Sequence, residues 1–159
     1  MSNEKLKEIG YHAFESNQIS SLTLGSSVTT IGERAFYGCT SITGTVDISS
    51  ATTIGTGAFY SCSNMSGVLF NDNLTRIEAD TFSGTGLKNI TLPNALKSIG
   101  ECAFSDSKLE SVTIRENVTY IDCYAFEYNR NLTTVYCYPI VPPSVGTDYD
   151  DGDRYWSAF

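Results

Sequence analysis

Histidine, cysteine and carboxylate side chains carry most protein chemistry, and here they are poorly arranged for it. The chain has one histidine, His12. A general base serving a serine or cysteine nucleophile would have to be that ring, and no Ser/His/Asp or Cys/His grouping can be drawn without it. An incidental, exposed histidine is the plainer reading. The five cysteines are an odd number with no CxxC pair, which argues against a zinc site. Cys102 and Cys123 lie one repeat apart with a one-residue offset, which leaves a pairing open. Glu110 and Glu116 could flank a groove, but their spacing does not mark an acid/base pair. The stretch "DYDDGD" (Asp148 to Asp153) offers the oxygen ligands calcium takes. It lacks EF-hand spacing and the closing glutamate, and reads as a solvated acidic loop. No enzymatic activity, metal or cofactor is expected.

Charge and hydropathy exclude two further classes. The formal net charge is −8 and no basic run is present, which argues against nucleic acid and anionic membranes. No apolar stretch approaches the ~20 residues of a membrane span. The opening "MSNEKLKEIG" is polar where a secretory leader would be apolar.

The chemistry-bearing residues are embedded in a phrase that recurs. "TTIGERAFYGC" (Thr29 to Cys39) returns as "TTIGTGAFYSC" (Thr52 to Cys62), with shorter echoes in "KEIGYHAF", "KSIGECAF" and "TYIDCYAF". Alignment yields a column of Phe14, Phe36, Phe59, Phe82, Phe104 and Phe126, at intervals of 22 or 23 residues. Five positions earlier stand Ile9, Ile31, Ile54, Ile77, Ile99 and Ile121, and three before those Leu6, Val28, Ala51, Leu74, Leu96 and Val118. A small residue precedes each phenylalanine: alanine throughout, except Thr81. After each phenylalanine runs L-x-x-V-x-I, as in "LKNITL" (Leu87 to Leu92) and "LESVTI" (Leu109 to Ile114). The copy "ITGTVDI" (Ile42 to Ile48) carries one extra residue, and the phase recovers by Ile54.

An active site is built once, so a recurring phrase specifies architecture. Self-similarity at this period marks a solenoid. The V-x-I portion, including "ISSLTL" (Ile19 to Leu24), alternates with period two and predicts a strand in each coil. "VTTI" predicts a second, shorter strand, and "GERAFYG" a short helical turn. Coils stacked ~4.8 Å apart in parallel ladders would bury the apolar columns. The column three residues after phenylalanine holds Asn17, Cys39, Cys62, Thr85, Ser107 and Asn129, all able to hydrogen-bond a turning backbone from inside. Cys39 and Cys62 are therefore expected to be buried structural thiols, and Cys137, in an inward strand column, to be core. Glycine follows the isoleucine at Gly10, Gly32, Gly55 and Gly100, but Glu78 and Asp122 replace it elsewhere, so it is preferred rather than obligatory.

The linked pattern L-x-x-V-x-I-P…V-T-x-I-G-x-x-A-F-x-x-C, read from Leu6 to Cys137, resembles the BspA-type leucine-rich repeat of bacterial surface proteins. Proline follows the strand only once, at Pro93. The resemblance implies a right-handed leucine-rich-repeat superhelix of about six 22–23-residue repeats, with parallel strands on one face and short helical turns on the other. It also implies a cell-surface or secreted location and a role in adhesion or partner binding, with no shared catalytic residues. Residues 1–138 form the expected solenoid, and 139–159 an irregular Pro/Asp-rich segment. "VYCYPIVPPSV" is similar to segments that close such arrays, leading into another strand and a cap. "YWSAF" ends as if a further repeat were starting, so both ends read as interruptions of the array.

A solenoid leaves one outward row on its strands for recognition. That row reads Thr23, Asp47, Leu69, Thr91, Thr113 and Tyr136, beside Gly25, Ser49, Asn71, Pro93, Arg115 and Tyr138. Tyrosine and arginine combine contact area with hydrogen bonding. Thr91, Thr113, Arg115, Tyr136 and Tyr138 are therefore the candidate ligand-binding residues. The expected partner is a host or neighbouring-cell surface protein. The alternatives are a glycan, stacked on the exposed aromatics, or no ligand at all, the chain being a structural spacer.

Overall fold

The computed structural model describes residues 5–139 and 141–146. The acidic stretch Asp148 to Asp153 and the closing Tyr155 to Phe159 lie outside them. Among the described residues are β1 (Glu8–Ile9), β2 (Thr30–Ile31), β3 (Gly44–Asp47), β4 (Thr53–Ile54), β5 (Met65–Leu69) and β6 (Arg76–Ile77). They continue with β7 (Asn89–Thr91), β8 (Ser98–Ile99), β9 (Ser111–Ile114), β10 (Tyr120–Ile121), β11 (Thr134–Cys137) and β12 (Ser144–Val145). All pairings are parallel and join equivalent positions of successive coils, such as Ile9 to Ile31 to Ile54 and Ile77 to Ile99 to Ile121. The chain is thus a β-solenoid of about six turns, with the "TI" strands on one side and the V-x-I strands on another.

The expected helical turns are not there. No helix forms among the described residues, and the "GERAFYG" segments are tandem β-turns. Amides alternate in direction. Tyr37 N donates within its coil to Arg34 O at 3.1 Å, whereas Phe36 N donates to Ala58 O of the next coil at 2.8 Å. An α-helix would need every amide to point along its own axis, so it cannot coexist with this inter-coil bonding. The residue two before each phenylalanine, and the residue two after it, take positive φ of 49–68° in all six copies. That matches the third position of a type II turn.

The phenylalanines form a continuous stack. Successive ring centroids lie 5.3–5.6 Å apart with planes within 12° of parallel. Phe36, Phe59, Phe82, Phe104 and Phe126 are buried, as are the isoleucine column and the small residues beside the rings. At the first coil Phe14 is 42% and Leu6 67% exposed, because no described coil packs outside them. The column after the rings behaves as expected. Cys39 Sγ donates to Phe14 O at 2.9 Å, Cys62 Sγ to Phe36 O at 3.2 Å, Ser107 Oγ to Phe82 O at 3.0 Å and Asn129 Nδ2 to Phe104 O at 2.7 Å. Each ties a phenylalanine carbonyl to the following coil. The glycine after the isoleucine serves close approach. A Cβ on Gly55 would lie 2.4 Å from the Glu33 nitrogen, and one on Gly100 2.6 Å from that of Ala79.

The strand side is less regular. Ile19 to Leu24 form no strand, contrary to the pattern. The extra residue of the second copy produces a register shift at Gly44/Thr45, with Gly44 at φ +74, so β3 pairs with β5 only. Cys137 is exposed rather than core, because β11 is the edge of its sheet and no described strand packs outside it. Between the third and fourth coils neither β4 and β6 nor β5 and β7 share a ladder. There the turn side keeps its three backbone bonds, Gly57 N to Ala79 O at 2.9 Å, Phe59 N to Thr81 O at 2.9 Å and Ser61 N to Ser83 O at 2.8 Å, while the strand side keeps Ala95 N to Asp72 O at 3.0 Å in the loops after β5 and β7.

Phe82→Ala should therefore lower stability by about 3–5 kcal/mol in chemical denaturation, and Phe14→Ala by clearly less. A loss under ~1 kcal/mol at Phe82 would be that of a surface site and would contradict the load assigned to the stack.

Candidate functional site

The strand ladder brings three of the candidate residues into one row. Thr91 of β7 pairs with Thr113 of β9, which pairs with Tyr136 of β11. Thr91 and Tyr136 are exposed and Thr113 is half-buried. Arg115 and Tyr138 follow β9 and β11 directly and, with Asn94 and Glu116, line a small depression at the rim of this face. Arg115 also closes the end of an adjoining groove lined by Leu69, Phe70, Asn89, Thr91 and Pro93. The five residues occupy one continuous surface. Further along it, Asp47 accepts from Ser49 N at 2.9 Å. Hydrogen bonds from Ser49 hold its carboxyl below the ordinary range.

Two features of this face were not read from the pattern. Val68 and Phe70, whose counterparts Val112 and Ile114 are buried, are only half-buried where β5 and β7 do not pair, beside the outward Leu69 at 53% exposure. Only the extra residue in the neighbouring copy hinted at that irregularity. Arg115 has no hydrogen-bond or ionic partner among the described residues, and its Nε is covered. No residue-type signal announces such a state.

The opposite, turn side carries a second cluster. Tyr37 and Tyr60 stack with centroids 4.7 Å apart, and the Arg34 guanidinium lies 5.4 Å from the Tyr37 ring. Burial raises the Tyr60 hydroxyl, helped by the nearby Tyr37 and Asp80 charges. Burial also raises the Asp80 carboxyl, opposed by Arg34. The tyrosine directly after phenylalanine in two successive copies was the available clue. These groups satisfy one another and leave little for a ligand.

The remaining chemical candidates stand apart. His12 hydrogen-bonds Glu15 on the first coil. Glu110 pairs with Lys88 at 3.8 Å, whereas Glu116 lines the depression beside Arg115. Cys39, Cys62, Cys102 and Cys137 are free thiols. Among the described residues there is no group of three metal-binding side chains and no helix long and apolar enough to cross a membrane.

The BspA type leucine rich repeat region matches the chain in 6 copies, over residues 2–84 and 52–141. The chain belongs to this family. It is similar to a leucine-rich repeat protein of Bacteroides ovatus, at 40% identity and TM-score 0.65, covering 69% of this chain and 29% of that one. It is also similar to a leucine rich repeat protein of T. pallidum, at 31% identity and TM-score 0.84, covering 92% and 69%. A leucine rich cell surface protein of Faecalibacterium prausnitzii shares the fold, at 20% identity and TM-score 0.58, over 83% of this chain and 51% of that one. No curated protein matches the sequence. The family is generally non-catalytic, and the chain spans under a third of the Bacteroides protein.

Burial pushes the Cys62 thiol up to about 12, with the Cys39 charge adding to it. The neutral form is therefore retained in the folded state through the pH range in which a free thiol ionises, and that advantage is lost only as pH rises from about 9 towards 12. With a disulfide reagent at mildly alkaline pH, Cys137 should react first, and Cys39 and Cys62 only after denaturation. Rapid labelling of Cys62 in the folded protein would contradict its place inside the stack.

Proposed function

We propose that this BspA-type domain is a non-catalytic binding scaffold, displayed at the cell surface or secreted, that holds a protein partner on its strand face. Thr91, Thr113, Arg115, Tyr136 and Tyr138 make the contact. The observation that carries the reading is the asymmetry of the two sides. Around Tyr37 and Tyr60 the turn-side polar groups are committed to one another, and the exposed turn-side tyrosines, Tyr11 and Tyr128, stand at opposite ends of the array. The strand face instead presents two tyrosines, at 52% and 59% exposure, a bare leucine and an unpaired arginine. Exposed apolar and aromatic area rimmed by polar groups is the usual character of an interaction surface. The family resemblance supports the extracellular setting and the partner class, a host or neighbouring-cell surface protein. The two exposed tyrosines also suit a glycan, which is the second reading.

The test is capture of surface proteins by the immobilised chain and by three variants. Thr113→Arg and Tyr136→Ala should each weaken capture about tenfold or more, as loss of a central contact does. Tyr60→Ala, on the turn side, should leave it unchanged. Binding confined to a glycan array and abolished by Tyr136→Ala would replace the protein partner with a carbohydrate. Capture that survives both Thr113→Arg and Tyr136→Ala would move the contact off the strand face, and no capture at all would reduce the domain to a spacer.

A further inference from the structure

We infer that Arg115 is the receptor for a single carboxylate on the partner, presented next to an aliphatic side chain that lies in the adjoining groove. This rests on the strand-face reading above and adds the chemistry of its occupant.

The cations of the chain are not equivalent. Arg76 Nε pairs with Glu78 at 2.8 Å, Lys88 with Glu110 at 3.8 Å, and Arg34 lies over Tyr37. Arg115 has no such partner among the described residues. Its Nε is covered and unbonded, and its terminal amino groups make no hydrogen bond or ion pair among the described residues of this half-buried side chain. The stem is therefore held by packing, and the forked end of the guanidinium is left unpaired. Two parallel N–H groups at fixed spacing fit the two oxygens of a carboxylate. Because the stem is already packed, little rotamer freedom remains to be lost on binding.

The surroundings define the rest of the occupant. One side of Arg115 opens into the groove with Leu69, Phe70 and Pro93, where β5 and β7 do not pair and Leu69 is left exposed, Phe70 half-buried and Pro93 buried. The other side holds Tyr138 and Asn94. Asp72 and Glu116 border the two depressions without pairing with Arg115. Together with the net charge of −8 they repel a polyanion. The fitting group is thus one Asp or Glu beside an aliphatic residue, in a partner segment that is otherwise neutral or basic.

The experiment titrates the blocked peptide Ala-Leu-Glu-Leu-Ala, and its Gln counterpart, into isotope-labelled protein while the Arg115 Nε–H resonance is followed. The Glu peptide should shift that resonance and bind roughly three- to fivefold more tightly than the Gln peptide, the range of an accessible ion pair. Arg115→Gln should abolish the preference, and Arg115→Lys should reduce it. Lys97→Gln, an exposed cation just before β8 that lines neither depression, should preserve it. The rest of the spectrum reports whether each variant is folded. Equal affinity for the two peptides, or a Glu preference that survives Arg115→Gln, overturns the assignment. D-galacturonate carries the same group on a sugar. A response to it without one to the peptide overturns the protein source in favour of an acidic glycan. Loss of partner capture in Thr113→Arg, together with peptides that do not discriminate, removes the carboxylate receptor and leaves the strand-face reading intact.

Discussion

Three backbone amides per coil, flanking and including that of phenylalanine, donate to the next coil at 2.6–3.2 Å through the first five junctions. This ladder on the turn side is the constraint on which the other features depend. It fixes the offset between coils, and a fixed offset repeated at one side-chain position yields a column of parallel rings. The phenylalanine stack is a consequence of backbone register as much as its cause. Rings 5.3–5.6 Å apart exclude water from the carbonyls beside them. Those carbonyls must then be satisfied from inside, since a buried acceptor left unpaired is costly. The column of Cys, Thr, Ser and Asn supplies that need. What repeats at Cys39, Cys62, Ser107 and Asn129 is a donor reaching the phenylalanine carbonyl of the preceding coil, while Thr85 bonds that of its own coil, so thiol, hydroxyl and amide interchange.

The same constraint explains where the coils tolerate irregularity. The extra residue of the second copy is absorbed on the strand side, at Gly44, while Phe36 and Phe59 keep a 5.3 Å separation. The strand ladders break between the third and fourth coils, while the turn-side bonds and ring contacts cross that junction unchanged. One side acts as a keel and the other can vary. A family built this way can alter its strand face without disturbing the element that holds the coils in register.

The columns of phenylalanine, isoleucine and small residues were legible in the sequence because each imposes the same demand in every coil. The turn conformation was not. Left-handed φ falls on His12, Arg34, Asp80, Cys102 and Tyr124 as well as on Gly57. The stacking enforces a conformation that those residue types do not prefer, so local composition misled towards a helix. Cys137 failed for another reason. A column predicts which way a side chain points, and burial further requires a coil beyond it, which the sheet edge at β11 lacks. Of the candidate site, column arithmetic put the five residues on one face. Pairing is settled by neighbours from other coils, so the bare state of Arg115 required coordinates.

That distinction bears on which side meets a partner. Tyrosines occur on both sides, and their number alone decides nothing. On the turn side Tyr37 and Tyr60 spend a face on each other, Arg34 covers Tyr37, and Asp80 lies close enough to help hold the Tyr60 hydroxyl neutral. A ligand arriving there would have to displace contacts already made. On the strand side Leu69 and Tyr136 sit in two separate ladders and Arg115 and Tyr138 just beyond strand ends, and none of the four makes such a ring or ionic contact with another. Binding draws its free energy from interactions absent in the free protein, less the cost of ordering the groups involved. The face that is ordered but uncommitted therefore has the larger surplus to offer, and in this solenoid that is the face left variable by the turn-side keel.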